Sequence, residues 1–200
     1  LLNDSGCQYL TGTTDTTRTF AMCELTDEER RDYTLVLKSV IAMSTAVFKE
    51  GITGYGLDVL CRGVLWKYGL DYRCGTGHGV GYMLGVHEGP QSLGNKDIKL
   101  QEGMVLTIEP GIYTEGSHGI RTENTAVVVK GEKTEYGQFY HFDTFTVVPI
   151  DTTPLKVEMM TQEEIDWLND FNRHAYETVS PYLSERAEKW MKKATAPISK

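Results

Sequence analysis

The 200-residue sequence is short of several things at once, and each shortage removes a class of function. It has no apolar run near the roughly 18 residues that cross a bilayer, and its first residues carry neither a basic segment nor a small-residue cleavage site, so a soluble protein with no membrane partner is expected. Basic residues are in deficit, with 20 Lys and Arg against 28 Asp and Glu and a net charge of -8. Nucleic-acid phosphates are gripped by clustered Lys and Arg, so a nucleic-acid partner is not expected. Cysteine is sparse: Cys7, Cys23, Cys61 and Cys74 make no C-x-x-C pair and lack the density of a small secreted scaffold. Free thiols in a reducing compartment, the cytoplasm, are the expectation. There is also no internal repeat, low-complexity tract or linker, so nothing divides the chain. A hydrophobic content of 40% is enough at this length for one domain with a core.

What is present reads as alternating short elements. Residues 1 to 21 mix β-type runs with Gly and Thr turns, a hairpin-like pattern. Thr26 followed by Glu29 forms a capping box, and helical spacing then continues through Tyr33, Val36, Leu37, Val40, Ile41, Ser44, Val47 and Phe48 up to Gly51. Leu57, Leu60, Cys61, Val64 and Tyr68 suggest a second helix, stopped by Gly69. From Cys74 to Gly94 the chain is dense in Gly and His, a loop composition that lets backbone approach a ligand closely. Strand-like runs at 104–109, 120–129 and 139–149 are expected to form an antiparallel sheet. Thr161 and Glu164 cap a helix through Ile165, Leu168, Phe171, Ala175 and Val179 that Pro181 bends or ends, and 183–193 reads as a final short helix.

The acid excess divides between helix-starting runs such as Thr26-Asp27-Glu28-Glu29, which are usually solvated, and a few carboxylates in unusual company. Asp4 and Asp15, His78 within Gly75-Thr76-Gly77-His78-Gly79, Glu109 within Thr107-Ile108-Glu109-Pro110-Gly111, and Glu123 within Gly119-Ile120-Arg121-Thr122-Glu123-Asn124 stand out. Singly, each has an ordinary explanation: an Asp beside Gly makes a turn, a strand Glu faces solvent, a lone His satisfies a polar contact. As a set they are different. Four carboxylates and one imidazole offer hard oxygen donors with one nitrogen, suited to Mn²⁺, Co²⁺ or Zn²⁺, and their four negative charges balance two divalent ions. Two ions about 3.5–4 Å apart can bind a water between them, lower its pKa toward about 7 and polarise a substrate carbonyl, which together make a hydrolase.

At these residues the chain resembles the pita-bread metallopeptidases. Within that group Asp4-Ser5-Gly6-Cys7-Gln8-Tyr9, Gly12-Thr13-Thr14-Asp15-Thr16-Thr17-Arg18-Thr19, Gly75-Thr76-Gly77-His78-Gly79-Val80-Gly81 and Val86-His87-Glu88-Gly89-Pro90 are similar to the cytosolic aminopeptidase P, or Xaa-Pro aminopeptidase, family. The likeness runs almost the whole length and includes the tail, at Trp167-Leu168-Asn169 and Pro197-Ile198-Ser199-Lys200. It implies an α+β fold, with helices on the outer face of a curved antiparallel sheet and two metal ions, manganese first with zinc or cobalt as alternatives, on the concave face. Residues 1–200 would form a single catalytic domain lacking its N-terminal part, with 151–200 as a C-terminal helical extension.

The same resemblance implies roles. Asp15, His78 and Glu109 would bind in one region of the site, Asp4 would chelate the other ion, and Asp15 and Glu123 would bridge. Glu109 would also shuttle a proton, a role that fits a carboxylate held against the nucleophilic water. His87 would contact substrate and steady the tetrahedral intermediate. His118, like His141 and His174, has no such match and reads as a surface or packing residue. Arg121 either orients a ligand carboxylate or makes a plain salt bridge. Gly75, Gly77, Gly79 and Gly81 imitate a phosphate-binding fingerprint, but no strand–helix context supports it and a ligand His lies in the middle.

The implied activity is metal-dependent removal of the first residue from peptides whose second residue is proline. A prolidase-type dipeptidase, a methionine aminopeptidase and a non-catalytic pita-bread module that binds peptides or histones are the rivals; retention of all five ligands counts against the last. A homodimer is expected on the resemblance and on the large apolar groups Trp167, Trp190 and Met191, with core packing of those residues as the alternative. The chain opens on Leu1-Leu2 without Met, directly before a chemically loaded segment. Family members carry further catalytic-domain sequence and N-terminal domains ahead of this point. The expectation is therefore a chain inactive or nearly so by itself, with one or both metals absent or partly occupied, an uncovered sheet face, and Asp4 weakly anchored on a strand that ends at it near the terminus.

Overall fold

An antiparallel hairpin opens the chain in the computed structural model, which describes residues 1–83, 85–94 and 97–200. Leu84, inside the predicted 74–94 loop, lies outside the described residues, as do Asn95 and Lys96. Strand β1 (Leu2–Tyr9) pairs with β2 (Gly12–Thr19) so that Asp4 faces Thr17 and Gly6 faces Asp15. Directly opposed residues share a face and alternate residues return to it, so Asp4, Gly6, Asp15 and Thr17 lie on one side of the hairpin and Arg18 on the other. The first strand does not end at Asp4 as expected. It continues to Tyr9, and Leu1 and Phe20 exchange two backbone hydrogen bonds of 2.8 Å that hold the terminus to β2.

Helix α1 (Asp27–Ser44) starts at the predicted Thr26/Glu29 capping box. It buries Tyr33, Val36, Leu37 and Val40, but it stops at Ser44 rather than running on toward Gly51. Val47 and Phe48 belong instead to β3 (Val47–Lys49). A β-branched and an aromatic residue suit a pleated surface, and here a partner strand offers one, with Phe48 opposite Tyr140. Helix α2 (Gly54–Trp66) is capped by the Thr53 hydroxyl, which accepts from the Gly56 N–H, and buries Leu57, Cys61 and Leu65. Leu60 is half-exposed and Tyr68 lies beyond the helix, so the buried stripe is offset from the predicted one; Gly69, at φ +70, ends the turn as expected.

The remaining strands are β4 (Gly77–His78), β5 (Ser92–Leu93), β6 (Val105–Ile108), β7 (Gly111–Tyr113), β8 (Gly119–Arg121), β9 (Asn124–Thr134) and β10 (Gly137–Thr144). An antiparallel sheet runs β3-β10-β9-β6, with β4/β5 and β7/β8 as separate ladders. The three expected strand runs appear as β6, β9 and β10, but the middle one breaks before Asn124 and the last ends at Thr144. The middle break goes with bonds to β2, where the Arg121 N–H donates to the Thr19 hydroxyl and the Glu123 N–H to the Thr17 carbonyl.

Helices α3 (Gln162–Val179), with the predicted Thr161/Glu164 capping box, and α4 (Glu185–Ala194) complete the chain. Both α3 and the segment before it are sewn to α1: the Tyr33 hydroxyl donates to the Asp151 carbonyl at 2.6 Å, and Lys38 pairs with Glu164 of α3 at 2.5 Å. Asn172 bonds both the N–H and the C=O of Ile150. Trp167 stacks on Phe171 at 5.3 Å against the core and Met191 is buried, so these two pack internally, while Trp190 is exposed. One hydrophobic cluster joins α1, α2, the large sheet and α3. Among the described residues no helix is long and apolar enough to cross a membrane.

Candidate metal centre

The hairpin face that carries Asp4 and Asp15 looks onto the segment between β8 and β9. Thr17 and Glu123 join the two through the Glu123 N–H, which donates to the Thr17 carbonyl at 3.0 Å, and the Thr17 hydroxyl, which donates to Glu123 Oε2 at 2.6 Å. Glu109 follows β6, with its N–H on the Thr76 carbonyl at 2.8 Å. The Thr107 hydroxyl accepts from the His78 N–H at 3.0 Å and donates to Glu109 Oε1 at 2.8 Å, so one side chain sets the positions of two others. The glycines around His78 serve close packing of protein on protein: an added Cβ would lie 1.9 Å from the Thr107 carbonyl oxygen at Gly77 and 2.0 Å from that of Glu88 at Gly79.

All five side chains singled out in the sequence come together. Asp4, Asp15 and Glu123 each bring a carboxylate oxygen within 4.8 Å of the other two, and so do His78, Glu109 and Glu123 with their own donor atoms. Glu123 belongs to both groups. A third group of the same span joins Asp15 and His78 to His87, whose ring lies 3.9 Å from that of His78, centroid to centroid. His87 is therefore as well placed to donate a lone pair as to touch substrate. Asp4, Asp15, His78, His87 and Glu109 line a cavity of about 360 Å³ that Val86 and Thr13 also edge. His118 is elsewhere, half-buried with Nε2 2.9 Å from Asp32 of α1, a packing residue as expected.

Arg121 links the carboxylates. Its Nη2 donates to Asp4 Oδ2 at 2.5 Å, its Nε to the Thr17 hydroxyl at 2.9 Å, and its Nη1 to the Tyr113 hydroxyl at 2.7 Å, with Glu109 Oε2 3.8 Å away. Asp4 is 51% exposed, and an ion pair so open to water contributes only ~0–1 kcal/mol, so the contact orients Asp4 more than it stabilises the fold. Of the two sequence-based readings of Arg121, the orienting one matches this geometry.

The residues fit a divalent-metal centre on their own chemistry. Glu123 is 1% exposed, and its Oε1 is buried with no hydrogen-bond partner among the described residues, which is costly for a carboxylate unless a cation takes it. Burial first, then the nearby charges of Glu109, Asp15 and Asp4, push the Glu123 pKa up to about 7, against the pull of the Thr17 hydrogen bond. Burial disfavours the charged form of His78, but its bonds to Asp15 and Glu109 outweigh that and push its pKa up to about 10. Its Nδ1–H donates to the Gly79 carbonyl at 3.0 Å, which leaves Nε2, 3.1 Å from Glu109 Oε1 and 3.4 Å from Asp15 Oδ2, facing the carboxylates. That tautomer arrangement suits a metal-ligating histidine.

Residues 1–130 match the Metallopeptidase family M24, and residues 138–198 match the C-terminal region of peptidase M24. The chain belongs to metallopeptidase family M24. Among its M24 relatives, a probable Xaa-Pro aminopeptidase P of Tuber melanosporum is 44% identical over 98% of this chain and 33% of that protein. The crystal structure of an X-prolyl aminopeptidase from Caenorhabditis elegans, described as a cytosolic enzyme with a di-nuclear active site, superposes with a TM-score of 0.91 at 41% identity, covering 98% of this chain and 33% of that one. An Xaa-Pro dipeptidase from Bacillus anthracis reaches 0.61 at 31% identity, over 75% of this chain and 39% of that one. This M24 chain has the expected α+β pita-bread fold, and it spans about a third of the length of the curated relatives it matches.

The supporting residues Thr17 and Thr107 were not singled out from sequence. A signal exists for both, since each lies two residues from a candidate ligand, Asp15 or Glu109, and so on its side of an extended segment.

Proposed function

We propose that the protein is a metal-dependent aminopeptidase that removes the first residue from peptides whose second residue is proline. The observation that carries this reading is the cluster of four carboxylates and one imidazole around a shared buried Glu123, supported by the likeness to enzymes named for X-prolyl substrates. Asp4, Asp15, His78, Glu109 and Glu123 would hold two divalent ions, Asp15 and Glu123 touching both, with Mn²⁺ first and Zn²⁺ or Co²⁺ as alternatives. When bound, the ions supply Lewis-acid polarisation of the scissile carbonyl and a lowered pKa for water.

The chain's own residues do the rest. Glu109, oriented by the Thr107 hydroxyl, accepts the proton of the attacking water and returns it to the departing proline nitrogen. His87, exposed at the cavity edge, donates a hydrogen bond to the oxygen that gains charge as the carbonyl becomes tetrahedral. Proline at the second position explains the need for a dedicated enzyme, because its nitrogen has no N–H to donate and its φ is fixed, which defeats enzymes that grip an extended backbone. The C-terminal segment 151–200 serves as a brace, and a cytoplasmic homodimer is the proposed state.

The test is hydrolysis by the complete protein that carries this chain, after chelation and add-back of Mn²⁺, Co²⁺ or Zn²⁺, on Xaa-Pro dipeptides and on longer Xaa-Pro peptides, with the 200-residue chain alone beside it and expected to be inactive or nearly so. Cleavage of longer peptides supports the aminopeptidase. Cleavage confined to dipeptides would make it a prolidase, and metal uptake with peptide binding but no cleavage would make it a non-catalytic module.

A further inference from the structure

Arg18 is 3% exposed, yet among the described residues its guanidinium meets carbonyl oxygens and one amide rather than a carboxylate. Nε donates to the carbonyls of Val148 and Pro149, both at 3.2 Å; Nη2 donates to Val148 O at 2.7 Å and Asn124 Oδ1 at 2.8 Å. Nη1 donates to the Thr17 carbonyl at 2.9 Å and, more closely, to the Glu123 carbonyl. The Phe171 ring of α3 lies 5.7 Å from the guanidinium carbon. A buried cation with no carboxylate in direct contact is expensive, and an apolar side chain would fill the space at less cost. What an apolar residue could not supply is the planar fork, which fixes several backbone segments against one another at once.

Those segments are informative. Thr17 and Glu123 are the two residues whose side-chain bond seats the buried carboxylate, and Arg18 holds both by their carbonyls from the opposite face of β2. Val148, Pro149 and Phe171 belong to the part of the chain that matches the C-terminal region of the family, none of which lines the cavity. We propose that Arg18 is a positioning residue for the metal centre, setting Glu123 against β2 and making the segment 148–171 part of the centre's support. This rests on the reading of Asp4, Asp15, His78, Glu109 and Glu123 as metal ligands.

The experiment titrates Co²⁺ into the metal-free complete protein that carries this chain and into its R18K, F171L and V40A variants, by calorimetry and by the cobalt visible band, with melting temperatures alongside. R18K keeps the charge and loses the fork; V40A, buried in α1 away from the cavity, shows what a general loss of stability does. The expected result is an affinity about tenfold lower in R18K with an altered band, the size seen when a residue orienting a ligand is lost. F171L should shift the same way by less, and V40A not at all. Wild-type affinity and band in R18K, or an equal loss in V40A, would overturn the role of Arg18. Should R18K not fold, F171L decides: unchanged binding overturns the proposal. If R18K is weakened and F171L is not, the part assigned to the C-terminal segment is overturned and the hold on Glu123 stands. A wild-type complete protein that takes up no Co²⁺ would sink the metal-ligand reading itself, which separates the two failures.

Discussion

The Thr17 hydroxyl donates to Glu123 Oε2 at 2.6 Å and leaves Oε1 of the same carboxylate buried without a partner among the described residues. The hydroxyl also accepts from Arg121 Nε at 2.9 Å, so it relays one orientation from a cation to a candidate ligand. T17V keeps the shape and removes both bonds. Metal affinity is expected to fall about 10–100-fold, as for other residues that orient a ligand. Equilibrium dialysis against Mn²⁺ measures it, and wild-type affinity would show that Glu123 needs no such hold.

Glu123 and Asp15 are each shared between two ligand groups. E123Q and D15N retain size and lose the charge that two cations would share, so in the complete enzyme both variants are expected to lose nearly all turnover together with bound metal. Elemental analysis beside an Xaa-Pro peptide assay provides the check. Near-wild-type turnover in either would remove that residue from its bridging role.

His87 lies within reach of Asp15 and His78 as well as at the cavity edge, so its two possible roles give opposite metal contents. In the complete enzyme H87A is expected to lower turnover by about a hundredfold or more with metal content unchanged, the magnitude for losing one group that stabilises developing charge. Loss of an ion would instead make His87 a ligand.

Metal uptake should release protons. In the metal-free chain His78 keeps its proton up to about pH 10, and Glu123 is half-protonated near 7. A metal needs the Nε2 lone pair and the full carboxylate charge, so binding at pH 7 expels more than one proton and tightens as pH rises toward 10. Calorimetry at pH 7 in two buffers of different ionisation enthalpy would reveal this, and equal apparent heats would contradict it.

Asn172 ties α3 to the chain through both backbone groups of Ile150, at 2.9 and 3.1 Å, and is 2% exposed. N172A leaves a buried N–H and C=O unsatisfied, which should cost ~1–3 kcal/mol in a chemical denaturation curve. A change well below that would mean water replaces the side chain.

Local chemistry made much of this protein legible in its sequence. The capping boxes at Thr26 and Thr161 act over three residues, so α1 and α3 start where the sequence says. The donor types of Asp4, Asp15, His78, Glu109 and Glu123 declare their chemistry before any folding is known, because charge balance and ligand hardness belong to the residues themselves. Tertiary structure decided what depends on partners far along the chain. Val47 and Phe48 kept helical spacing but became a strand because β10 stood ready to pair. Trp167 and Met191 were equally good as surface or core until packing put them inside. A threonine hydroxyl or a guanidinium accepts many partners, and only the register of β2 against residues 121–125, set by the whole fold, gave Thr17 and Arg18 to Glu123.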